Sequence, residues 1–197
     1  MPRHRQHGAA PRRLLQSRTF GLFREPPLAR KSYWVSGVLA LLGSALAVAN
    51  AAVTAPHVRI AATKQLPTPL PYPYDEMANA DAAVDAAFVR AKASGKRVLV
   101  DLGGNWCPDC RILAGVMALP EVKPFLDRHF EIVSVDVGRF DRNLQIPARF
   151  RVAKLGGVPW LVIAKPDGTV LTSSYEVTDE HHSRPQAMVD WLAHWAN

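Results

Sequence analysis

The chain has only two cysteines, and they stand three positions apart in the segment WCPDC at 106–110. A short apolar run at 97–102 precedes them and is typical of a strand covered on both faces. The Gly-Gly-Asn at 103–105 then predicts a turn, and residues 107–118 predict a helix with Pro108 in its first turn. The fold must therefore place a dithiol at the start of a helix that directly follows a buried strand.

Composition and charge exclude several classes of protein. The 197 residues are 48% hydrophobic and show no fixed repeat, which excludes disordered, collagen-like and repeat proteins. Two cysteines are too few for a disulfide-stapled scaffold. The formal net charge of +7 arises within residues 1–54, which hold eight of the 24 basic and one of the 17 acidic side chains. Because the remainder is neutral overall, we predict no nucleic-acid partner.

The N-terminal part predicts export from the cytoplasm. Residues 1–32 are basic, and residues 33–53 form a run of 21 residues without a charged side chain. The small residues at 47–51 fit the A-x-A pattern of a signal-peptide cleavage site. A cleaved signal peptide is favoured; the alternative is an uncleaved anchor in the inner membrane, because a run of this length can cross a hydrocarbon core of about 30 Å. Both interpretations predict a periplasmic or otherwise exported domain.

Residues 54–74 predict a proline-rich linker between that run and a domain at 75–197. The stretch QLPTPLPYPY at 65–74 alternates prolines with other residues, which favours an extended, semi-rigid spacer. Its aromatic side chains leave a second interpretation open, in which the stretch packs on the domain or binds a partner.

The remaining pattern predicts an α/β domain. Helices are predicted at 75–94, 121–129, 143–150 and 184–196, and strands at 131–137, 160–164 and 169–172, the last two joined by a turn at 165–168. With the strand at 97–102, this order predicts a central mixed β-sheet flanked by helices. Asp101 interrupts the apolar run, so we expect burial to raise its pKa. The alternative is an exposed aspartate at the end of the strand.

The spacing of the cysteines predicts a redox-active pair. Residues three apart lie on one side of a helical turn, so Cys107 and Cys110 can form a small disulfide. Cys107 is the predicted nucleophile, because free amides and the helix dipole stabilise its thiolate, and Cys110 would resolve the mixed disulfide. The charge of Asp109 disfavours that thiolate and predicts a reducing or intermediate couple. A structural zinc site usually needs four ligands, which the sequence does not offer, so no metal is predicted. A purely structural disulfide is disfavoured, because so short a loop removes little entropy from the unfolded chain.

Four short segments, in this order, resemble the thioredoxin superfamily. They are VLVD at 98–101, WCPDC at 106–110, GGVP at 156–159 and KPDGTV at 165–170. The resemblance covers residues 75–197, and the alanine-rich first helix is more similar to exported domains of the DsbD C-terminal type than to minimal thioredoxin. The sequence departs from thioredoxin in the Pro-Asp pair between the cysteines and in the tryptophan after GGVP.

The resemblance implies a thioredoxin fold and assigns further roles. Asp101 would accept and return a proton, through water, for the Cys110 thiol. Pro159 would be cis, and the Val158 backbone would pair with an extended substrate. Trp106 and Trp160 would rim the substrate surface, although either can be a core aromatic. Pro108 and Asp109, between the cysteines, would tune the redox potential.

These features together predict an enzyme that exchanges disulfides with protein substrates outside the cytoplasm, as a reductant rather than an oxidant. Its redox group is the Cys107–Cys110 pair, with no other cofactor, and a reductant there would need an electron donor in the membrane. Three alternatives stay open: an oxidase or isomerase of the same fold, a module that binds Cu(I) through the two thiolates, and an interaction protein without turnover.

Overall fold

The structure is a computed structural model that describes residues 53–179, 181 and 183–196. The basic region 1–32 and the predicted export segment 33–53, apart from Val53, lie outside the described residues. Within the described ranges, none of the helices is both long and apolar enough to span a membrane.

The described residues form one mixed sheet of four strands. These are β1 (Arg97–Gly103), β2 (Phe130–Asp136), β3 (Trp160–Ala164) and β4 (Val170–Ser174). The spatial order is β2-β1-β3-β4; β1 pairs with β2 in parallel, and β3 pairs antiparallel with both β1 and β4. The predicted mixed sheet is thereby confirmed, with β1 at an inner position.

Helices cover both faces of the sheet. They are α1 (Ala80–Ser94), α2 (Pro108–Met117), α3 (Lys123–His129), α4 (Gln145–Arg149), α5 (Glu176–Asp179) and α6 (Pro185–His194). Alternate side chains of β1 enter two different core clusters: Leu99 joins α2, α3 and α6, whereas Val98 and Val100 join α1 and α4. Because both faces of β1 are buried, its sequence is apolar on both sides rather than alternating, apart from Arg97 at its start and Asp101.

The first helix begins later than its composition predicts. It starts at Ala80, not at residue 75, because Asn79 caps it: the Asn79 Oδ1 accepts a hydrogen bond from the Ala82 amide at 3.0 Å. Gly95 ends the helix in the left-handed conformation, with φ of 74°. The short α5 was not predicted, because four residues are too few to show a helical period.

Residues 54–74 correct the spacer interpretation. Val58 and Leu66 are buried in the same core cluster as α6, with a 3-10 turn at Thr63–Gln65 between them. The Val58 amide donates to Gln186 Oε1 of α6 at 2.7 Å. Apolar side chains placed between prolines can bury surface as well as space domains, so this segment belongs to the folded unit.

Candidate active site

The two cysteines lie at the start of α2, after the short loop that follows β1. Cys107 is the N-cap residue of α2, and its Sγ accepts a hydrogen bond from the Cys110 amide at 3.3 Å. Cys110 lies within the first turn of the helix. Both are free thiols, with exposed fractions of 5% for Cys107 and 0% for Cys110. The predicted juxtaposition of the two sulfurs is therefore present, with Cys107 nearer the surface.

The two thiols have opposite acidities. A hydrogen bond from the Cys110 thiol, together with the Cys110 amide, lowers the pKa of Cys107 to about 7, although burial and the charge of Asp109 raise it. The same hydrogen bond, followed by burial, raises the pKa of Cys110 well above its usual range. The effect of Asp109 thus has the predicted sign but does not dominate. At neutral pH a thiolate forms on Cys107, while Cys110 keeps its proton.

Asp101 is the buried acid next to this pair. Its exposed fraction is 1%, and its Oδ1 accepts a hydrogen bond from the Tyr74 hydroxyl at 2.9 Å. Burial raises its pKa to about 7, against the opposing effect of hydrogen bonds from Tyr74 and Ser134. Asp101 is therefore not an exposed strand-end aspartate, and it titrates in the range where a proton acceptor and donor is useful at neutral pH.

A second loop meets the dithiol from the side. The Val158–Pro159 peptide bond is cis, as the resemblance implies, and Pro159 is buried. The Cys107 thiol donates to the Val158 carbonyl oxygen at 3.4 Å. The backbone of this loop is thus in direct contact with the predicted nucleophile.

We call four residues the open face: Trp106 directly before Cys107, Phe140 against Trp106, Val158 in contact with Cys107, and Tyr175 near Gly156 of the same loop. Trp106 and Phe140 are each 41% exposed and meet edge to face at 6.3 Å between ring centroids. The Trp106 indole nitrogen donates to the carbonyl oxygen of Gly138 at 2.7 Å. Tyr175 is 38% exposed and contacts Trp160.

The remaining predicted site residues divide between surface and core. Pro108 and Asp109 are exposed in the first turn of α2. Trp160 packs against the core cluster that contains α1, and its indole nitrogen donates to Ser173 Oγ at 2.8 Å. Trp160 thus has a packing role that the sequence left open. Among the described residues, no group of three or more His, Cys, Asp or Glu side chains could hold a metal ion.

Comparisons with known proteins agree with this geometry. Residues 79–166 match a family model described as thioredoxin-like. A thioredoxin from Alicyclobacillus acidocaldarius subsp. acidocaldarius is 31% identical over 81 residues, which cover 41% of this chain and 70% of that protein. The chain belongs to the thioredoxin superfamily. The thioredoxin-like proteins that it matches are thiol–disulfide oxidoreductases, in line with the acidities of the two cysteines.

Thioredoxin-like proteins are also found among the solved structures that match this chain. A disulphide isomerase from Xylella fastidiosa Temecula1 is 33% identical, with a TM-score of 0.59, and the match covers 63% of this chain and 96% of that one. The C-terminal domain of DsbD from Neisseria meningitidis is 23% identical, with a TM-score of 0.37, over 49% of this chain and 82% of that one.

One residue of this thioredoxin-like site was missed by the sequence analysis. Tyr74 precedes the matched range, yet it is 3% exposed and packs with Cys107 and Cys110 in one buried cluster, where its hydroxyl donates to Asp101. Gly103 makes room for it, because a Cβ at that position would lie within 3.0 Å of both the Tyr74 hydroxyl and Cys110 Sγ. The only signal in the sequence was the aromatic character of the proline-rich stretch, which does not say where the ring is buried.

Tyr74 is held by a short segment that we call the strap, residues 70–74. Asn105 pairs with the Tyr74 backbone, accepting from its amide at 3.2 Å and donating to its carbonyl at 2.7 Å. The Arg111 guanidinium donates to the carbonyl oxygens of Leu70 and Pro71 at 2.9 and 3.2 Å and lies 3.9 Å from the ring centroid of Tyr72. Residues on both sides of the cysteines therefore dock the strap onto this thioredoxin-like domain.

Proposed function

We propose that this protein reduces disulfides of protein substrates through Cys107 and Cys110. The observation that carries the proposal is the unequal acidity of the two thiols, one lowered to a pKa of about 7 at a helix start and the other raised in the interior. An attacking sulfur must be a thiolate, whereas a resolving sulfur must keep its proton until the mixed disulfide has formed.

The reaction takes two exchange steps. The Cys107 thiolate attacks one sulfur of the substrate disulfide, forms a mixed disulfide and releases the other substrate sulfur as a thiolate. Cys110 then loses its proton and attacks Cys107 Sγ, which forms the Cys107–Cys110 disulfide and releases the second substrate thiolate. Two electrons pass from the dithiol to the substrate in each cycle.

The acidity of the nucleophile supports reduction as the direction of exchange. A pKa of about 7 for Cys107 is close to that of thioredoxin, about 7, and far above that of a strong oxidant such as DsbA, about 3.5. A lower pKa of the nucleophilic thiol means a more stable thiolate. This stabilises the reduced form and makes the disulfide more oxidising. We therefore expect a potential nearer to about −270 mV than to about −120 mV.

The open face supports a protein as the substrate. Trp106, which directly precedes Cys107, its neighbour Phe140, and Tyr175 near the loop at 156–157 leave large aromatic surfaces exposed. Such rings bury apolar area against a partner at little conformational cost. The contact of Cys107 with the Val158 carbonyl oxygen supports pairing of this backbone with an extended segment of that partner.

We further propose that the exchange takes place outside the cytoplasm. The support is the basic region 1–32 followed by the uncharged run 33–53, acting as a signal peptide or an inner-membrane anchor. An exported reductant works against an oxidising compartment, so a membrane protein that supplies electrons is the implied partner.

The Cu(I)-binding alternative is disfavoured by the same site. Binding through the pair needs two thiolates. Burial and the hydrogen bond to Cys107 raise the pKa of Cys110, which opposes the second thiolate.

The test is reduction of a protein disulfide, such as that of insulin, with a dithiol as the electron source. Cys107→Ser should abolish turnover, whereas Cys110→Ser should accumulate a covalent mixed disulfide with the substrate. Each variant is the matched control of the other, because both remove one sulfur. Turnover that survives Cys107→Ser would contradict the proposal, and a potential near about −120 mV would make the protein an oxidase or isomerase.

A further inference from the structure

Tyr74 joins the two groups between which the exchange cycle has to move a proton. Its hydroxyl donates to Asp101 Oδ1 at 2.9 Å, and the same hydroxyl and Cys110 Sγ both border Gly103 within one buried cluster. A hydroxyl carries one proton and two acceptor sites, so it can donate to a carboxylate while accepting from a thiol. Tyr74, Asp101 and Cys110 are each at most 3% exposed, so this junction is shielded from bulk solvent.

The far side of Asp101 opens into a cavity of about 220 Å³ under the strap. Pro71 and Pro73 of the strap line it, with Ser134 of β2. Lys123 and Asp127 of α3 also line it, and their side chains are more than half exposed, so the cavity reaches the protein surface. Asp101 can therefore exchange protons with solvent on a side of the site away from the open face.

We propose that Tyr74 relays the proton between Cys110 and Asp101 during resolution of the mixed disulfide. The proposal rests on the dithiol cycle proposed above and names the group that connects the acid to the buried sulfur. The resemblance implies that water connects Asp101 to Cys110. In this proposal the Tyr74 side chain makes that connection.

The step balances without any further reactant. The Cys110 S–H proton passes to the Tyr74 oxygen as the Tyr74 hydroxyl proton passes to Asp101 Oδ1. The Cys110 thiolate then attacks Cys107 Sγ, the bond from Cys107 to the substrate sulfur breaks, and the substrate leaves as a thiolate. Asp101, now neutral, releases its proton through the cavity to solvent.

The surroundings of Tyr74 suit a group that passes a proton on without ionising itself. Burial, followed by the charges of Asp101 and Cys110, raises the pKa of Tyr74 far above its usual range, so the hydroxyl stays neutral throughout. Asp101, whose pKa is about 7, can both take and give a proton at neutral pH. The titratable groups facing Asp101 are Tyr74 from the strap, Cys107 and Cys110 from α2, and across the cavity the paired Lys123 and Asp127 of α3.

A symmetrical aromatic disulfide that releases a coloured thiolate separates the two chemical steps. Attack by Cys107 on the aromatic disulfide releases the first coloured thiolate, and resolution by Cys110 releases the second. Stopped-flow absorbance of the full chain therefore gives both rates in one trace. If the unaltered protein releases only one thiolate, the dithiol cycle itself fails, and that result is distinct from failure of the relay.

The informative variant is Tyr74→Phe, which keeps the buried ring and removes the hydroxyl. We expect the second release to slow by about tenfold or more, and the first to change by less than about twofold. In the unaltered protein the second rate should rise as pH passes through the pKa of Asp101, and this rise should disappear in the variant. Tyr72→Phe is the matched control, because that hydroxyl lies on the same strap but its residue is 64% exposed.

A double variant and an isotope measurement complete the test. If Tyr74 acts through Asp101, adding Asp101→Asn to Tyr74→Phe should slow the second release little further. In the unaltered protein, deuterated water should slow the second release more than the first. The relay is overturned if Tyr74→Phe leaves the second rate within about twofold, if it slows both releases equally, or if deuterated water affects both equally.

Discussion

The two sides of the dithiol differ in solvent exposure and in the acidity of their groups. On the open face, Trp106, Phe140 and Tyr175 are each between 38% and 41% exposed. On the strap side, Tyr74, Asp101 and Cys110 are nearly inaccessible, and their pKa values are all raised. One face offers apolar surface to a partner, whereas the other holds groups that exchange protons.

This difference suggests that recognition and proton transfer are physically separated. The cavity beside Asp101 shares no lining residue with the open face, so a substrate on that face can leave the cavity uncovered. Proton release can then continue while a protein partner is still bound. The following variants act on one side at a time, so each should change one property and spare the other.

Asp101→Asn should have the largest effect on the strap side. Burial raises the pKa of Asp101 to about 7, whereas in the unfolded chain it is about 3.9. Between these values the folded protein keeps a proton that the unfolded chain has lost, so the free energy of unfolding falls as pH rises through this window and stays low above it. The variant should therefore be more stable by on the order of 4 kcal/mol at pH 8 and nearly unchanged at pH 4.

Denaturant titration of the oxidised protein at several pH values measures this effect without ionisation of the thiols. Asp109→Asn removes an exposed carboxylate nearby and serves as the control. Equal stabilisation at pH 4 and pH 8 would show that the burial of Asp101 is not the cause.

Arg111→Met should loosen the strap. The guanidinium donates to the Leu70 and Pro71 carbonyl oxygens, and hydrogen bonds from a charged group contribute about 1.5–3 kcal/mol. We expect a loss of about 2 kcal/mol in the free energy of unfolding, and faster hydrogen exchange of the Tyr74 amide. Arg128→Met, on an exposed position of α3, is the matched control. Unchanged exchange at Tyr74 would mean that Asn105 alone holds the strap.

Trp106→Ala should act on the open face alone. The exposed ring offers contact area to a protein substrate, so kcat/KM for reduction of insulin should fall about fivefold, which corresponds to about 1 kcal/mol. Both releases from the small aromatic disulfide should keep their rates, because that substrate needs no docking surface. A fall in the second release would show that the two sides are coupled.

Asp109→Asn should have the smallest effect. The charge of Asp109 raises the pKa of Cys107 against larger effects that lower it. Removing an exposed charge should increase the rate of the first release at pH 6 by about threefold at low salt, and by less at high salt. Stopped-flow traces at two ionic strengths measure this. A salt-independent increase would point to a local change in α2 instead.

Much of this site could be predicted because its elements are local in sequence. The apolar run of β1 predicts a strand buried on both faces, and the cysteines follow it at the start of a helix. The position of Asp101 within that run was enough to predict that burial would raise its pKa.

The strap could not be predicted, because the contacts that dock it are distant in sequence. The hydroxyl of Tyr74 reaches an acid 27 residues away, and Arg111 holds carbonyl groups 40 and 41 residues before it. A stretch in which prolines alternate with leucine and tyrosine is compatible with a spacer and with a docked segment. Only the folded structure decides between a spacer and a docked segment. It also decides for Trp160, whose ring could have lined the substrate surface but packs against the core.

Tyr74 lies upstream of residues 79–166, the range by which the family is recognised. A graft of that range alone into another protein would transfer the nucleophile, the resolving sulfur and the acid, but not the hydroxyl that joins the last two. Gly103 would then border a gap where the phenol had been. Homologues that share every diagnostic motif can therefore differ in how they handle protons, depending on the sequence that happens to precede the domain.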